Sequence, residues 1–113
     1  MMTKVLFVCT GNICRSPSAE GVFRLMIDEA GLSGLVGVDS AATHGFHVGE
    51  SPDARAQAAA RKQGYDISQC VARQVTADDF REFDFILAMD WENLSALQQP
   101  GVSAQTDAAY AFC

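Results

Sequence analysis

Cys9-Thr10-Gly11-Asn12-Ile13-Cys14-Arg15-Ser16 places a thiol six residues ahead of a guanidinium across a glycine-containing turn. The stretch follows the apolar run Val5-Leu6-Phe7-Val8 and leads into a helical pattern that begins near Pro17. A turn between a strand and a helix can direct several backbone N–H groups into one concavity, and the helix start adds unpaired donors and the positive end of its dipole. Such a concavity fits a tetrahedral oxyanion, phosphate above all. A thiol at its mouth is favoured as the thiolate, which makes Cys9 a nucleophile. Arg15 offers a planar fork of donors to two oxygens of the same anion. Thr10, Gly11, Asn12, Ile13, Cys14, Arg15 and Ser16 are therefore read as an anion cradle around Cys9.

Hydrophobic patterning gives the strands and helices on either side of this turn. Val5–Val8 is continuously apolar, the mark of a central parallel strand covered on both faces. Ala19, Val22, Phe23, Met26, Ile27 and Ala30 fall on one helical face, with Ser16 as N-cap, Pro17 in first position and Gly31 as the stop. A strand within 35–42 completes a right-handed βαβ unit and puts Ser40-Ala41-Ala42-Thr43 at the same sheet edge as Cys9. Ser51-Pro52-Asp53 opens an alanine-rich helix that ends at Gly64. Thr76 to Asp79 forms a capping-box start, with Val75 and Phe80 as its hydrophobic staple. Phe85–Met89 is a third strand, Asp90 caps a helix over 91–98, and 105–113 supplies a fourth strand. The pattern predicts one α/β domain over 1–113, a three-layer α/β/α sandwich on a four-stranded parallel sheet.

Composition narrows the function classes. With 49% apolar and 19% charged residues the chain is an ordinary globular protein. A net charge of −6 argues against nucleic-acid binding, which needs basic surface, yet leaves room for a phosphate held by local backbone donors. No run approaches the ~18 apolar residues of a membrane span, so no membrane partner is expected and the cytoplasm is the default location. There the four cysteines stay reduced, and their spacing, like that of His44 and His47, does not make a metal site.

Val5 to Glu20, reading Val-Leu-Phe-Val-Cys-Thr-Gly-Asn-Ile-Cys-Arg-Ser-Pro-Ser-Ala-Glu, resembles the characteristic motif of the low-molecular-weight protein tyrosine phosphatases. Pro52 to Ala56, Ser68 to Arg73, and Met89-Asp90 with Asn93-Leu94 resemble further stretches of that family. The resemblance implies a hydrolase without a cofactor. Its substrate would be a phosphotyrosine-containing protein or a small aryl phosphate, with inorganic phosphate and other oxyanions as inhibitors. Cys9 would form a cysteinyl phosphate, Arg15 would hold the equatorial oxygens, Asn12 would fix the loop, and Ser16 would donate to the thiolate. Ser40 would hydrogen-bond within the loop. Phe46 would stand on the substrate-pocket wall, with core packing as the alternative. Cys70 occupies the place of a histidine that buttresses the family's loop, or is simply a small buried hydrophobe. Cys14 is close enough to Cys9 for a protective reversible disulfide, or is a buried thiol.

One departure bears on mechanism. The family runs several tens of residues further, through a general-acid aspartate in an Asp-Pro-aromatic loop and a final sheet-covering helix. Here Asp107-Ala108-Ala109-Tyr110 lacks the proline, so the expectation is a shortened member or fragment missing the C-terminal part of the family domain. Two alternatives accompany the phosphatase reading. One is an arsenate reductase of the same fold. The other is a phosphotyrosine- or phosphate-binding pseudo-enzyme lacking its acid.

Overall fold

The computed structural model describes residues 2–98 and 109–111. Its elements are β1 (Thr3–Cys9), α1 (Arg15–Glu29), β2 (Val36–Ala42), α2 (Ala54–Lys62), α3 (Asp79–Glu82), β3 (Phe85–Ala88), α4 (Trp91–Leu97) and β4 (Ala109–Ala111). The four strands form one parallel sheet in the order β2-β1-β3-β4. The first strand is interior, as its unbroken apolar run requires, and Val5 to Cys9 are all buried. Because the strands are parallel, their carboxyl ends share one edge, where ligands of open α/β sheets bind.

Alternation along the strands assigns the layers. Leu6 and Val8 of β1, Ile86 and Ala88 of β3 and Ala41 of β2 face Phe80 of α3 and Leu97 of α4, and these residues make the larger core. Val75 and Phe80 both join that core, as their predicted stapling role requires. On the opposite face Phe7 meets Phe23 of α1 edge-to-face, with ring centroids 5.8 Å apart. A smaller core of Ala56, Ala60 and Ile67 seats α2, with Tyr65 and Cys70 packed against it.

Three local expectations are corrected. First, Ser16 does not cap α1: the helix begins at Arg15, Cys14 occupies the cap position without a side-chain bond, and Pro17 sits inside the first turn. The first helical hydrogen bond runs from Ser18 N–H to Cys14 O, which pulls Ser16 into the turn and buries it. Second, the cap of α2 is Asp53, whose carboxylate accepts from the N–H groups of Arg55 and Ala56, rather than Ser51. Third, the face of α1 that is fully covered holds Ser16, Pro17, Glu20, Gly21 and Ile27, while Val22 is exposed and Met26 is 58% exposed. Val22 and Met26 line an open apolar cavity of about 970 Å³ with Phe7, Phe23, Phe85 and Leu87. Asp107 lies outside the described residues.

Gly21 is explained by close approach. A methyl group there would lie 2.6 Å from Ile67 Cγ2 and 2.7 Å from Tyr65 Cδ2. Ile67 is fully buried and has little room to yield. Gly21→Ala should therefore destabilise the fold by about 1–2 kcal/mol, the overpacking cost exceeding the helix-propensity gain of about 1 kcal/mol. Urea titration followed by far-ultraviolet circular dichroism measures this; equal or greater stability would show that the α1–Ile67 contact is looser than described.

Candidate active site

The loop after β1 is fastened from both neighbouring strands. Thr43 N–H, just past β2, donates to Cys9 O at 2.9 Å, and His44 N–H to Thr10 O at 3.1 Å. From the other side Met89 N–H, just past β3, donates to Val8 O at 2.9 Å. Asp53 N–H reaches Ile13 O at 2.7 Å and holds the far limb. Asn93 lies with its amide 3.0 Å from Thr10 Oγ1. With the amide oxygen toward Thr10, it accepts from both the hydroxyl and the backbone N–H while its nitrogen donates to Asp90.

The buried Cys9 sulfur receives two donors. Asn12 N–H points at Sγ from 3.3 Å and Ser16 Oγ lies 3.0 Å away. The direction of the second contact follows from the buried Asn12 side chain. Arg73 N–H donates to Asn12 Oδ1 at 3.0 Å, which fixes the amide so that Nδ2 donates to Ser16 Oγ at 2.9 Å and to Ser40 Oγ at 3.0 Å. Ser16 thus already accepts from Asn12, and its own proton turns to the sulfur, since the alternative acceptor, Ala41 O, is 3.5 Å away. Ser40 in turn donates to Glu20 Oε1 at 2.6 Å. Asn12 adopts φ +59°, a left-handed conformation that asparagine tolerates better than most residues.

Arg15 stands at the rim, half exposed, with Nη1 donating to Asp90 Oδ2 at 2.6 Å. Among the described residues its remaining N–H donors have no partner and stay available to an oxyanion. That bond, outweighing a small cost of burial, raises the guanidinium pKa still further above its usual range. The same bond, helped by Asn93 N–H, holds the Asp90 carboxyl below the ordinary carboxylate value. Asp90 is therefore a charged tether and a poor proton donor at neutral pH.

The supports lie further back. Arg73 grips the buried Asp79 with two bonds of 3.0 and 3.1 Å and reaches Asp39 at 3.2 Å. Its carbonyl accepts from Ala42 N–H at 2.7 Å, so the segment that presents its N–H to Asn12 is locked to β2. Glu20, only 7% exposed, is paired with Arg24 at 2.6 Å. Cys70 occupies neither predicted role cleanly. It is half buried, and its Sγ lies 3.8 Å from Glu20, so it buttresses the carboxylate rather than the loop. Burial, and then the Glu20 charge, push its pKa up to about 11.

Cys14 is exposed, which corrects the buried-thiol expectation; it and Cys9 are both free thiols here. Phe46 is 70% exposed and stacks on His44 with centroids 5.1 Å apart, so core packing is excluded. His44 Nδ1 pairs with Thr43 Oγ1 at 2.8 Å and His47 Nδ1 with Glu50 at 3.0 Å. The His47 ring lies against Gly11, where a methyl group would come within 2.9 Å of its Cδ2. The structure thus brings Cys9, Asn12, Ser16 and Ser40 into one network with Arg15 at its rim. Glu20, Arg73 and the Arg15–Asp90 tether are the members that sequence reasoning missed.

The family model for low molecular weight phosphotyrosine protein phosphatases matches residues 4–109. The chain belongs to this family. The human low molecular weight phosphotyrosine protein phosphatase is 48% identical over 102 residues, covering 90% of this chain and 64% of the human one. The Synechocystis protein slr0328 is 53% identical over 90 residues, 80% of this chain and 57% of that one. The chain thus spans 57% to 64% of the length of these two curated relatives. Among solved structures, YfkJ from Bacillus subtilis superposes with a TM-score of 0.92 at 40% identity, over 98% of this chain and 70% of that one. Vibrio vulnificus Wzb, solved in complex with benzylphosphonate, superposes with a TM-score of 0.85 at 27% identity. In this phosphatase-family chain the predicted three-layer α/β class and parallel sheet are the observed ones.

The environment of Cys70 generates a labelling order. A thiol with a pKa near 11 is almost wholly protonated at pH 8 and reacts slowly. Iodoacetamide at pH 8, followed by peptide mapping, should modify exposed Cys14 well before Cys70. Labelling of Cys70 as fast as Cys14 would show that its sulfur is neither shielded nor close to Glu20.

Proposed function

We propose that this chain carries the nucleophilic machinery of a protein tyrosine phosphatase, hydrolysing phosphotyrosine in proteins and small aryl phosphates through a cysteinyl-phosphate intermediate. The observation that supports this reading best is the Cys9 sulfur beneath two inward donors, Asn12 N–H and the Ser16 hydroxyl, with Arg15 tethered alongside. Cys9 Sγ attacks phosphorus as the P–O bond to the aryl group breaks, and the departing oxygen takes a proton from a general acid or from water. Arg15 and the loop N–H groups hold the equatorial oxygens through the transition state. Water then attacks phosphorus, the S–P bond breaks, and Ser16 donates to the returning thiolate. Inorganic phosphate is the product and a competitive inhibitor. The free thiols suit a reducing compartment, and we take the cytoplasm as the location.

Arsenate reduction is disfavoured by the chemistry of Cys70, whose shielded, acidity-suppressed thiol makes a poor relay to Cys9. The phosphate-binding alternative differs from the enzyme in turnover alone. Leaving-group dependence separates them, because losing a general acid costs about 10²–10⁴ in rate only where the leaving oxygen needs protonation. An activated aryl phosphate such as p-nitrophenyl phosphate should be turned over, and Cys9→Ser should abolish that turnover while phosphate still binds in calorimetry. Hydrolysis that survives Cys9→Ser would refute the nucleophile; phosphate binding without any turnover by the unaltered chain would make it a binder.

A further inference from the structure

We propose that Trp91 is a specificity-determining wall of the active site, contacting the organic group of an aryl phosphate on the side of the cradle opposite Phe46; this rests on the phosphatase reading above. The placement follows from topology. β1 is flanked by β2 and β3, all parallel, so the segments leaving β2 and β3 stand on either side of Cys9. Phe46 follows β2 and Trp91 follows β3. At 70% and 67% they are the two most exposed large apolar side chains among the described residues.

Trp91 is held at the rim by its neighbours. Met89 N–H donates to Val8 O, Asp90 holds Arg15, and Asn93 lies against Thr10. Residues before and after Trp91 are thus bonded to the strand end and the loop that surround the nucleophile. Packing does not require the indole, because α4 is anchored to the core through Leu94 and Leu97. A large aromatic surface left in water beside an anion site gains most by stacking on a planar apolar group attached to that anion. The cradle and Arg15 would take the phosphoryl group, and the two aromatic residues would take what it is attached to. Aryl phosphates would then be preferred over alkyl or sugar phosphates.

The test uses a property of the chain itself: Trp91 is its single tryptophan. Benzylphosphonate, which is not hydrolysed, should change the intrinsic fluorescence on titration, and inorganic phosphate should change it little. By calorimetry, Trp91→Ala should weaken benzylphosphonate binding about 3- to 10-fold, the range expected for one aromatic contact, and leave phosphate affinity within about twofold. Trp91→Phe should restore most of the loss, which a merely structural role would not predict. Benzylphosphonate binding with unchanged emission, or equal weakening of both ligands by Trp91→Ala, would overturn the proposal while leaving the phosphatase reading intact. If neither ligand binds the unaltered chain, the phosphatase reading fails and this inference falls with it.

Discussion

The site depends on the buried amide of Asn12. One side chain accepts from Arg73 N–H and donates to Ser16 and Ser40, and its own backbone N–H points at Cys9 Sγ. The three side-chain bonds join the loop after β1 to α1, to β2 and to the segment beyond α2. They also decide proton direction: with both amide hydrogens spent on serine oxygens, the Ser16 proton is left for the sulfur. Aspartate would lack the two donors, and an apolar residue would lack all three side-chain bonds and strand the buried hydroxyl groups of Ser16 and Ser40. The positive φ adds a conformational demand that few side chains meet.

Such a network is costly to leave half made, and the surrounding fold reflects that. Glu20, Ser40 and Asp79 are all buried, and each is satisfied: Glu20 by Ser40 and Arg24, Asp79 by Arg73 and Thr76 N–H. Among the described residues no buried side-chain nitrogen or oxygen lacks a partner. A fully satisfied polar cluster is rigid, so the loop keeps one shape, and in the proposed reaction that rigidity would lower the reorganisation needed for catalysis. Where the phosphatase-like pattern calls for a histidine, Cys70 supplies a weak partner 3.8 Å from Glu20. The carboxylate is therefore steadied chiefly by Ser40 and Arg24.

Much of this architecture was legible in residue order because it rests on local rules. The apolar run of β1, the glycine after α1, the entry of Val75 and Phe80 into one core and the Asp90 cap each involve neighbours within a few residues. The placement of Cys9 and Arg15 on either side of one strand-to-helix turn was legible for the same reason. The supports were not, because their partners are remote: Asn12 meets Ser40 and Arg73 at separations of 28 and 61 residues, and Arg15 meets Asp90 at 75. Asp90 did leave a trace, since an aspartate at the end of a strand beside β1 must lie near the cradle, but it read as a helix cap in a family-like stretch and not as a partner for Arg15. The face of α1 misled outright. Glu20 and Gly21 are covered because one is paired and the other lets Ile67 approach, while Val22 and Met26 border an open apolar cavity. Periodicity reports which residues would prefer burial, not which ones find a partner.

The Asn12 side chain holds the loop around Cys9 in one shape, and the reactivity proposed for Cys9 rests on that hold. The most direct measurement is the rate of Cys9 alkylation by iodoacetate, with and without inorganic phosphate, in the unaltered chain and in Asn12→Ala. The unaltered chain should react preferentially at Cys9 and be protected by phosphate, and Asn12→Ala, folded by circular dichroism, should lose both properties. Fast, phosphate-protected alkylation of Cys9 in Asn12→Ala would show that the Asn12 network does not set the reactivity of Cys9.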